Sequence, residues 1–332
     1  MREKLKGLAK EILSRAIVEW KRDSNFGSDF WCGHNGPYNH YEPPLRSLCH
    51  YGCLATLVVE DNLNEDIDYF LDAINKYVMS CIKQPLVFRD EPDQDYGNGV
   101  IGAAWMMEFV RYSQSLTDTQ KNTVYKFVQR EFIFDAEKSI YSRQSSDASF
   151  GGGVDATFNH QLWFVTELSL SPFGHENIEN INETIKAYCY NDTYFDNTIY
   201  HKFTIGGRQS GLKYLFKRLK YYPKSVSYNL FNMMAIKRLL KSGVLDDENS
   251  QWLTHLSEWK IRFWHVPVLA FEKHGVSYNP VALEAISCQT PMTSMLFTRQ
   301  FQMYKNILNE GNGCHNSIDA PRLLSRIYEV LT

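Results

Sequence analysis

The chain has 332 residues, 44 % of them apolar and 22 % charged, and a net charge of −3. The apolar share is enough for a large core. The charge balance argues against nucleic acid or an anionic membrane as the main partner, because both demand a basic surface. No stretch approaches the roughly 18 apolar residues of a spanning helix, so no membrane insertion is expected.

The N-terminal stretch from Met1 to Arg22 spaces Leu5, Leu8, Ala9, Ile12, Leu13, Ala16 and Ile17 as a helix does. Lys4, Lys6, Lys10 and Glu11 interrupt every apolar run, unlike a signal peptide. With seven scattered cysteines, this predicts a cytoplasmic protein with reduced thiols. After a loop from Asn25 to Pro44, the periodicity predicts helices over Leu45–Glu60 and Asn64–Ile82. A polar loop from Arg89 to Tyr96 leads into Asn98–Ser113, and Thr117–Phe132 follows with Asp118 and Gln120 in its first turn. A Ser/Gly loop, Ser139 to Asp155, precedes Asn159–Leu170. Asn177–Tyr190 is amphipathic, Tyr194–Ile205 alternates somewhat like a strand, and Gln209–Lys220 has a helical pattern. Helices are then expected over Ser225–Lys241, Asp246–Trp264, Pro280–Cys288, Pro291–Asn309 and Pro321–Leu331.

These elements alternate in character. The odd members are charged and amphipathic, the even members more apolar, and the long polar loops lead from odd to even members. That rhythm predicts an all-α (α/α)6 toroid, residues 1–332 forming one domain, with six buried inner helices inside six outer ones. Short hairpins make neighbours antiparallel, so every inner helix starts on one rim. The N–H groups and positive dipole ends there suit a carboxylate-bearing or polyhydroxylated ligand. An α-solenoid is the rival layout, but no residue signature recurs at a fixed period.

Three rim loops concentrate groups that can do chemistry. The first, Trp31 to Pro44 followed by Arg46, holds His34, Asn35, Tyr38 and His40, suited to sugar hydroxyls; Arg46 can pair with a uronate. The second, Asp90 to Gly99, sets Asp93, Asp95 and Asn98 before a helix containing Trp105, where the carboxylates serve either as caps or in catalysis. The third, Ser149 to Trp163, joins a glycine run to Asp155, Asn159, His160, Gln161 and Trp163. Asp155 or His160 facing a cavity can act as a general acid or base. Tyr228–Asn229, His274 to Asn279 and Asn312 to Asp319 with Arg322 are thinner rim candidates. The aromatic fraction of 14 % serves ring packing and stacking on sugar faces alike.

Cys32, His34, Cys49, His50 and Cys53, with Cys314–His315, are of the residue types that bind zinc. Toroidal zinc cyclases use such Trp-Cys and Cys-His elements. Cys49, His50 and Cys53 fall inside an apolar helix, so the expected site carries no metal. No phosphate loop, dinucleotide fingerprint or nucleophile elbow is present, and no cofactor is expected.

Several of these segments together resemble a known family: Gly33–Tyr38 with Glu42–Pro43, Asn98–Trp105, Asp155–Phe164 and Tyr228–Leu230. They resemble bacterial proteins of the glycoside hydrolase family 88-like group. These are relatives of unsaturated glucuronyl hydrolases, often encoded among surface-polysaccharide genes. The resemblance spans most of the chain in the right order, Phe158–Trp163 being its most specific part. It implies an (α/α)6 barrel acting on an oligosaccharide or polysaccharide that contains uronic acid. It also implies an aspartate pair, matched by position to Asp95 and Asp155. The implied reaction protonates the vinyl ether of a 4,5-unsaturated uronic acid and activates water. In this reading His160 transfers a second proton or orients, while His34, Asn35, Tyr38, Arg46, Asn98, Trp105, Asn159, Gln161, Trp163 and Tyr228 bind or pack against substrate. A lyase or epimerase on the same scaffold, or a non-catalytic glycan-binding protein of polysaccharide assembly, are the alternatives.

Overall fold

A computed structural model describes residues 2–28, 30–31, 33–34, 41–42, 44–59, 65–83, 100–143, 157–189, 194, 196–199, 212–259, 262, 264–265 and 325. Within them the chain is predominantly helical. The helices are α1 (Arg2–Arg22), α2 (Pro44–Val59), α3 (Glu65–Cys81), α4 (Val100–Tyr112), α5 (Asp118–Glu131), α6 (Phe158–Ser169), α7 (Ile178–Cys189), α8 (Leu212–Ser242) and α9 (Asp247–Ser257). Two short antiparallel hairpins accompany them. In the first, β1 (Gly33–His34) pairs with β2 (Tyr41–Glu42); in the second, β3 (Phe132–Asp135) pairs with β4 (Ile140–Arg143).

The expected alternation of inner and outer helices is present. Helices α2, α4, α6 and α8 form a row, each packed on the next. Residue pairing gives the direction of that row. His50 meets Trp105 at 5.3 Å between ring centroids, and two residues further on Gly52 abuts Phe109. Trp105 meets Trp163 at 5.2 Å, and deeper down Arg111 reaches Glu167 at 2.9 Å. Trp163 meets Phe231 at 5.2 Å, while Thr166 donates to the Ala235 carbonyl at 3.3 Å. Each pairing advances in the same sense on both partners, so the four inner helices are parallel; α2, α4 and α6 start at one end, and α8 passes through it.

The outer helices lie against this row: α1 and α3 on α2, α5 on α4, α7 on α6 and α9 on α8. Their amphipathic pattern follows from that position. In α3 the residues Ile67, Phe70, Leu71, Ile74 and Val78 are buried, while Glu65, Asp66 and Asp68 complement the dipole at its start. The inner helices are buried nearly all round; α6 hides every residue from Gln161 to Ser169. The predicted start of α5 is a full capping box between Thr117 and Gln120. Asn182 ties the outer pair α7 and α9 together. It donates to the Val244 carbonyl at 2.8 Å and accepts from the Asp246 and Asn249 nitrogens.

Three expectations are corrected. The loop foreseen from Ser139 begins instead as β4, because Tyr141 and Ile140 are buried beneath the hairpin and Gln161 clamps the Tyr141 backbone. The two helical segments foreseen around 209–220 and 225–241 are one helix, α8, which runs through Pro223. Proline there removes the bond to the residue 219 carbonyl, and its ring crowds that carbonyl. Helix α9 ends at Ser257 rather than Trp264. Residue Trp259 turns inward beneath it, 5 % exposed. The helices foreseen at 280–288, 291–309 and 321–331, which the six-hairpin closure requires, lie outside the described residues apart from Ser325.

Gly52 is a site of enforced closeness between α2 and α4. A Cβ there would fall on the Phe109 ring, which is itself fully buried. Gly52→Ala is expected to destabilise the fold by about 1–3 kcal/mol, read as a lower urea midpoint at unchanged m-value.

Candidate functional site

The end of the inner row at which α2, α4 and α6 start and α8 passes brings together residues from distant parts of the sequence. Arg46 stands half-buried in the first turn of α2. Asn159, 4 % exposed, and half-buried His160 stand in the first turn of α6. The register that pairs Trp163 with Phe231 sets Tyr228 and Asn229 of α8 level with them. Thr157 stands at the N-cap of α6, and its side chain makes no capping bond to the helix. Arg46, Asn159, His160 and Tyr228, all expected near a substrate, therefore share one end of the row. Among the other expected site residues, Asp155, Asp95, Asn35, Tyr38 and Asn98 lie outside the described residues, and His34 is described only as a member of β1.

Below this rim is a layer of rings. His50, Trp105, Trp163 and Phe231 follow one another across the row, one from each inner helix. Trp105 is 2 % exposed and Trp163 fully buried, so they form the floor under the rim. Gln161 is directed sideways. Its amide donates to the Tyr141 carbonyl at 2.8 Å and accepts from the Tyr141 N–H at 3.0 Å, fastening hairpin β3–β4 to α6.

A buried charge network underlies the rings. Arg238 donates through one guanidinium nitrogen to Glu108 at 2.7 Å and to Glu167 at 2.8 Å. Its other nitrogen donates to the Tyr112 hydroxyl at 3.1 Å. Arg111 grips Glu167 with two bonds, 2.9 and 3.2 Å. Burial disfavours the Arg111 cation, but Glu167 more than offsets this and keeps it charged. Two cations and two carboxylates thus neutralise one another where isolated charge would be prohibitive.

A second buried polar group lies beside the outer half of α8. Asp196 accepts from the Tyr222 hydroxyl at 2.5 Å and sits 2.7 Å from His265 Nε2. His265 Nδ1 accepts from the Arg262 N–H at 3.0 Å, so its proton resides on Nε2 and points at Asp196. Trp259 stacks on the imidazole at 5.1 Å and donates to Thr198. Burial would raise the Asp196 carboxyl, but bonds from Tyr222, His265 and Thr198 outweigh it and hold the pKa at about 2. Burial lowers the His265 pKa, and the Asp196 charge only partly opposes it. His265 is fully enclosed, which suits a neutral imidazole that fastens the chain around residues 196–199.

Neither polar group was singled out in the sequence. Glu108 and Glu167 carried the signal: each is a lone acid inside an otherwise apolar helix, a position that demands a partner. Asp196 and His265 had none, being 69 residues apart in sequence. The cysteines of α2 and α3 are core residues: burial pushes the Cys49 and Cys53 thiols of α2 well up and that of Cys81 in α3 to about 12. Among the described residues no group of three His, Cys, Asp or Glu side chains is placed to hold a metal ion; Cys32, Cys314 and His315 lie outside them.

The chain is 27 % identical over 164 residues to a protein named archaeal glycosylation protein Q, from Haloferax volcanii. The match covers 47 % of this chain and 43 % of that relative, so less than half of the relative's length is spanned. No family model matches the chain. Nor does any solved structure match it significantly.

Two outcomes test these clusters. Arg238→Met leaves Glu108 and Glu167 without their shared cation and should destabilise the protein by about 3–5 kcal/mol in denaturant titration. The Asp196–His265 pair makes stability fall with acid. Protons bind the unfolded imidazole more readily, so its share of stability is complete above the usual imidazole pKa. That share declines as the pH falls from there through the depressed value. The Asp196 share is lost only at much lower pH, as its carboxyl titrates toward about 2. A His265→Gln variant should flatten the first limb of the stability–pH curve and leave the acidic limb in place.

Proposed function

We propose that this chain is a carbohydrate-active enzyme that acts on a uronic-acid-containing glycan, with its helices closed into an (α/α)6 toroid. Such an enzyme would make or remodel glycans, in keeping with the name of the Haloferax relative. The observation that carries it is the common end of α2, α4, α6 and α8, where Arg46, Asn159, His160 and Tyr228 gather above a floor of rings. The parallel N-termini of α2, α4 and α6 at this end favour a carboxylate, and Arg46 adds a guanidinium suited to a uronate. Amides, imidazole and phenol supply the hydrogen bonds that sugar hydroxyls need.

In the reaction proposed, Asp155 protonates the vinyl ether of a 4,5-unsaturated uronic acid and its carboxylate then activates water. The hydrated sugar opens and the glycosidic bond is released. Asp95 is the partner carboxylate, and His160 at the start of α6 orients the acid or relays a proton. Proton transfer by one well-placed group contributes on the order of 100- to 10,000-fold.

The test is incubation with unsaturated uronyl oligosaccharides, following loss of the ultraviolet absorbance of the conjugated double bond. Asp155→Asn and His160→Ala should each lower kcat at least about 100-fold at unchanged thermal stability. Full turnover in both variants overturns the assignment. A rise in absorbance on intact polysaccharide identifies elimination instead. Binding without turnover, unaffected by Asp155→Asn, identifies a glycan-binding protein.

A further inference from the structure

Helix α8 is two helices in environment. From Ser225 onward it is an inner helix, with Val226, Asn229, Phe231, Ala235 and Leu239 all buried. Before that it projects past the end of the inner row. Trp163 lies level with Phe231, so the start of α6 at Phe158 corresponds to Val226, and α8 begins at Leu212. At 1.5 Å per residue the projection is about 20 Å long.

That projecting segment exposes its apolar residues. Leu212 is 74 % exposed, Leu215 52 %, Phe216 68 % and Leu219 60 %. The spacing i, i+3, i+4, i+7 places all four along one face of the helix. A face of this kind is normally turned to the core; here it faces outward. Val18, Tyr69 and Ile133, also large, apolar and exposed, each stand singly on their own element and form no such stripe.

The charge beside this stripe says what would cover it. Lysines at 213, 217, 220 and 224 recur at i, i+4, i+7 and i+11, one line along the same helix adjoining the apolar stripe. Lys220 is exposed. No aspartate or glutamate occurs anywhere from residue 197 to 245, in a chain whose net charge is −3. A short apolar face of Leu and Phe flanked by lysine, without acid, is the pattern of a helix lying in the interface of an anionic bilayer. An acid-free, lysine-lined flank is unsuited to a cationic partner and is attracted to a negative surface.

We propose that the outer half of α8, residues 212–224, docks on an anionic lipid surface. Leu212, Leu215, Phe216 and Leu219 would enter the headgroup–acyl boundary while the lysine line meets lipid phosphates. No spanning is involved; no described helix is long and apolar enough to cross a membrane. The projection leaves from the same end of the inner row as Arg46 and His160, so docking would bring that end to the bilayer. The proposal stands on exposure and charge and does not depend on the carbohydrate reading.

The test is co-sedimentation of the full-length protein with phosphatidylcholine vesicles and with vesicles containing phosphatidylglycerol. Binding is expected to the second only and to weaken with added salt. Leu215→Asp/Phe216→Asp and, separately, Lys213→Glu/Lys220→Glu should each reduce partitioning on the order of tenfold or more at unchanged thermal unfolding. Absence of wild-type binding to anionic vesicles overturns the proposal. So does binding that persists in both double variants. A fall in unfolding temperature in Leu215→Asp/Phe216→Asp would show that the stripe packs within its own chain. A wild-type dimer that this variant dissociates would show that a second copy covers it. Either result also overturns the proposal.

Discussion

The guanidinium of Arg238 is the point on which the inner row depends. One side chain of α8 bonds carboxylates from α4 and α6 at once, and Arg111 closes the set from α4. Apolar packing alone tolerates a helix sliding by a fraction of a turn, since Leu and Phe fill space without fixed direction. A buried ion network has no such freedom, because a shift that breaks one bond leaves a charge in low dielectric. The network therefore fixes three helices in axial register. The layers of rings and rim residues above it inherit that register.

The site reading depends on this fixed floor. Arg46, Asn159, His160 and Tyr228 come from three separate parts of the chain, yet they share one end because their helices are parallel and held in register. Gly52 against Phe109, and Trp105 between His50 and Trp163, keep the helices close together beneath that end. Gln161 spends its amide on hairpin β3–β4 and so braces α6 from the side.

Much of the architecture was legible because period is a direct signal of burial. The spacing of Ile67, Phe70, Leu71, Ile74 and Val78 predicts an outer helix, and the nearly unbroken apolarity of α4 predicts an inner one. The capping box at Thr117 was visible as a polar first turn. Hairpin β3–β4 was missed because its strands are four residues each, too short to show alternation. The continuity of α8 was missed because Pro223 reads as a stop, although the chain on both sides keeps helical spacing. The basic, apolar projection of α8 was hidden by averaging. A net charge of −3 over the chain conceals a long stretch without any acid. Partners that meet in space from remote positions, such as Asp196 and His265, leave no local pattern.

Because α8 is one helix from Leu212 to Ser242, its outer stripe and its Arg238 layer share a rotational phase. Each residue turns the helix by about 100°. The direction in which Leu215 and Phe216 point is therefore set, through the intervening turns, by the carboxylates that hold Arg238 at the floor. A single inserted residue between Pro223 and Phe231 would preserve every side chain of the stripe and yet swing it by more than a quarter turn relative to the rest of the molecule. The orientation of the outermost surface is thus specified by the most deeply buried charge.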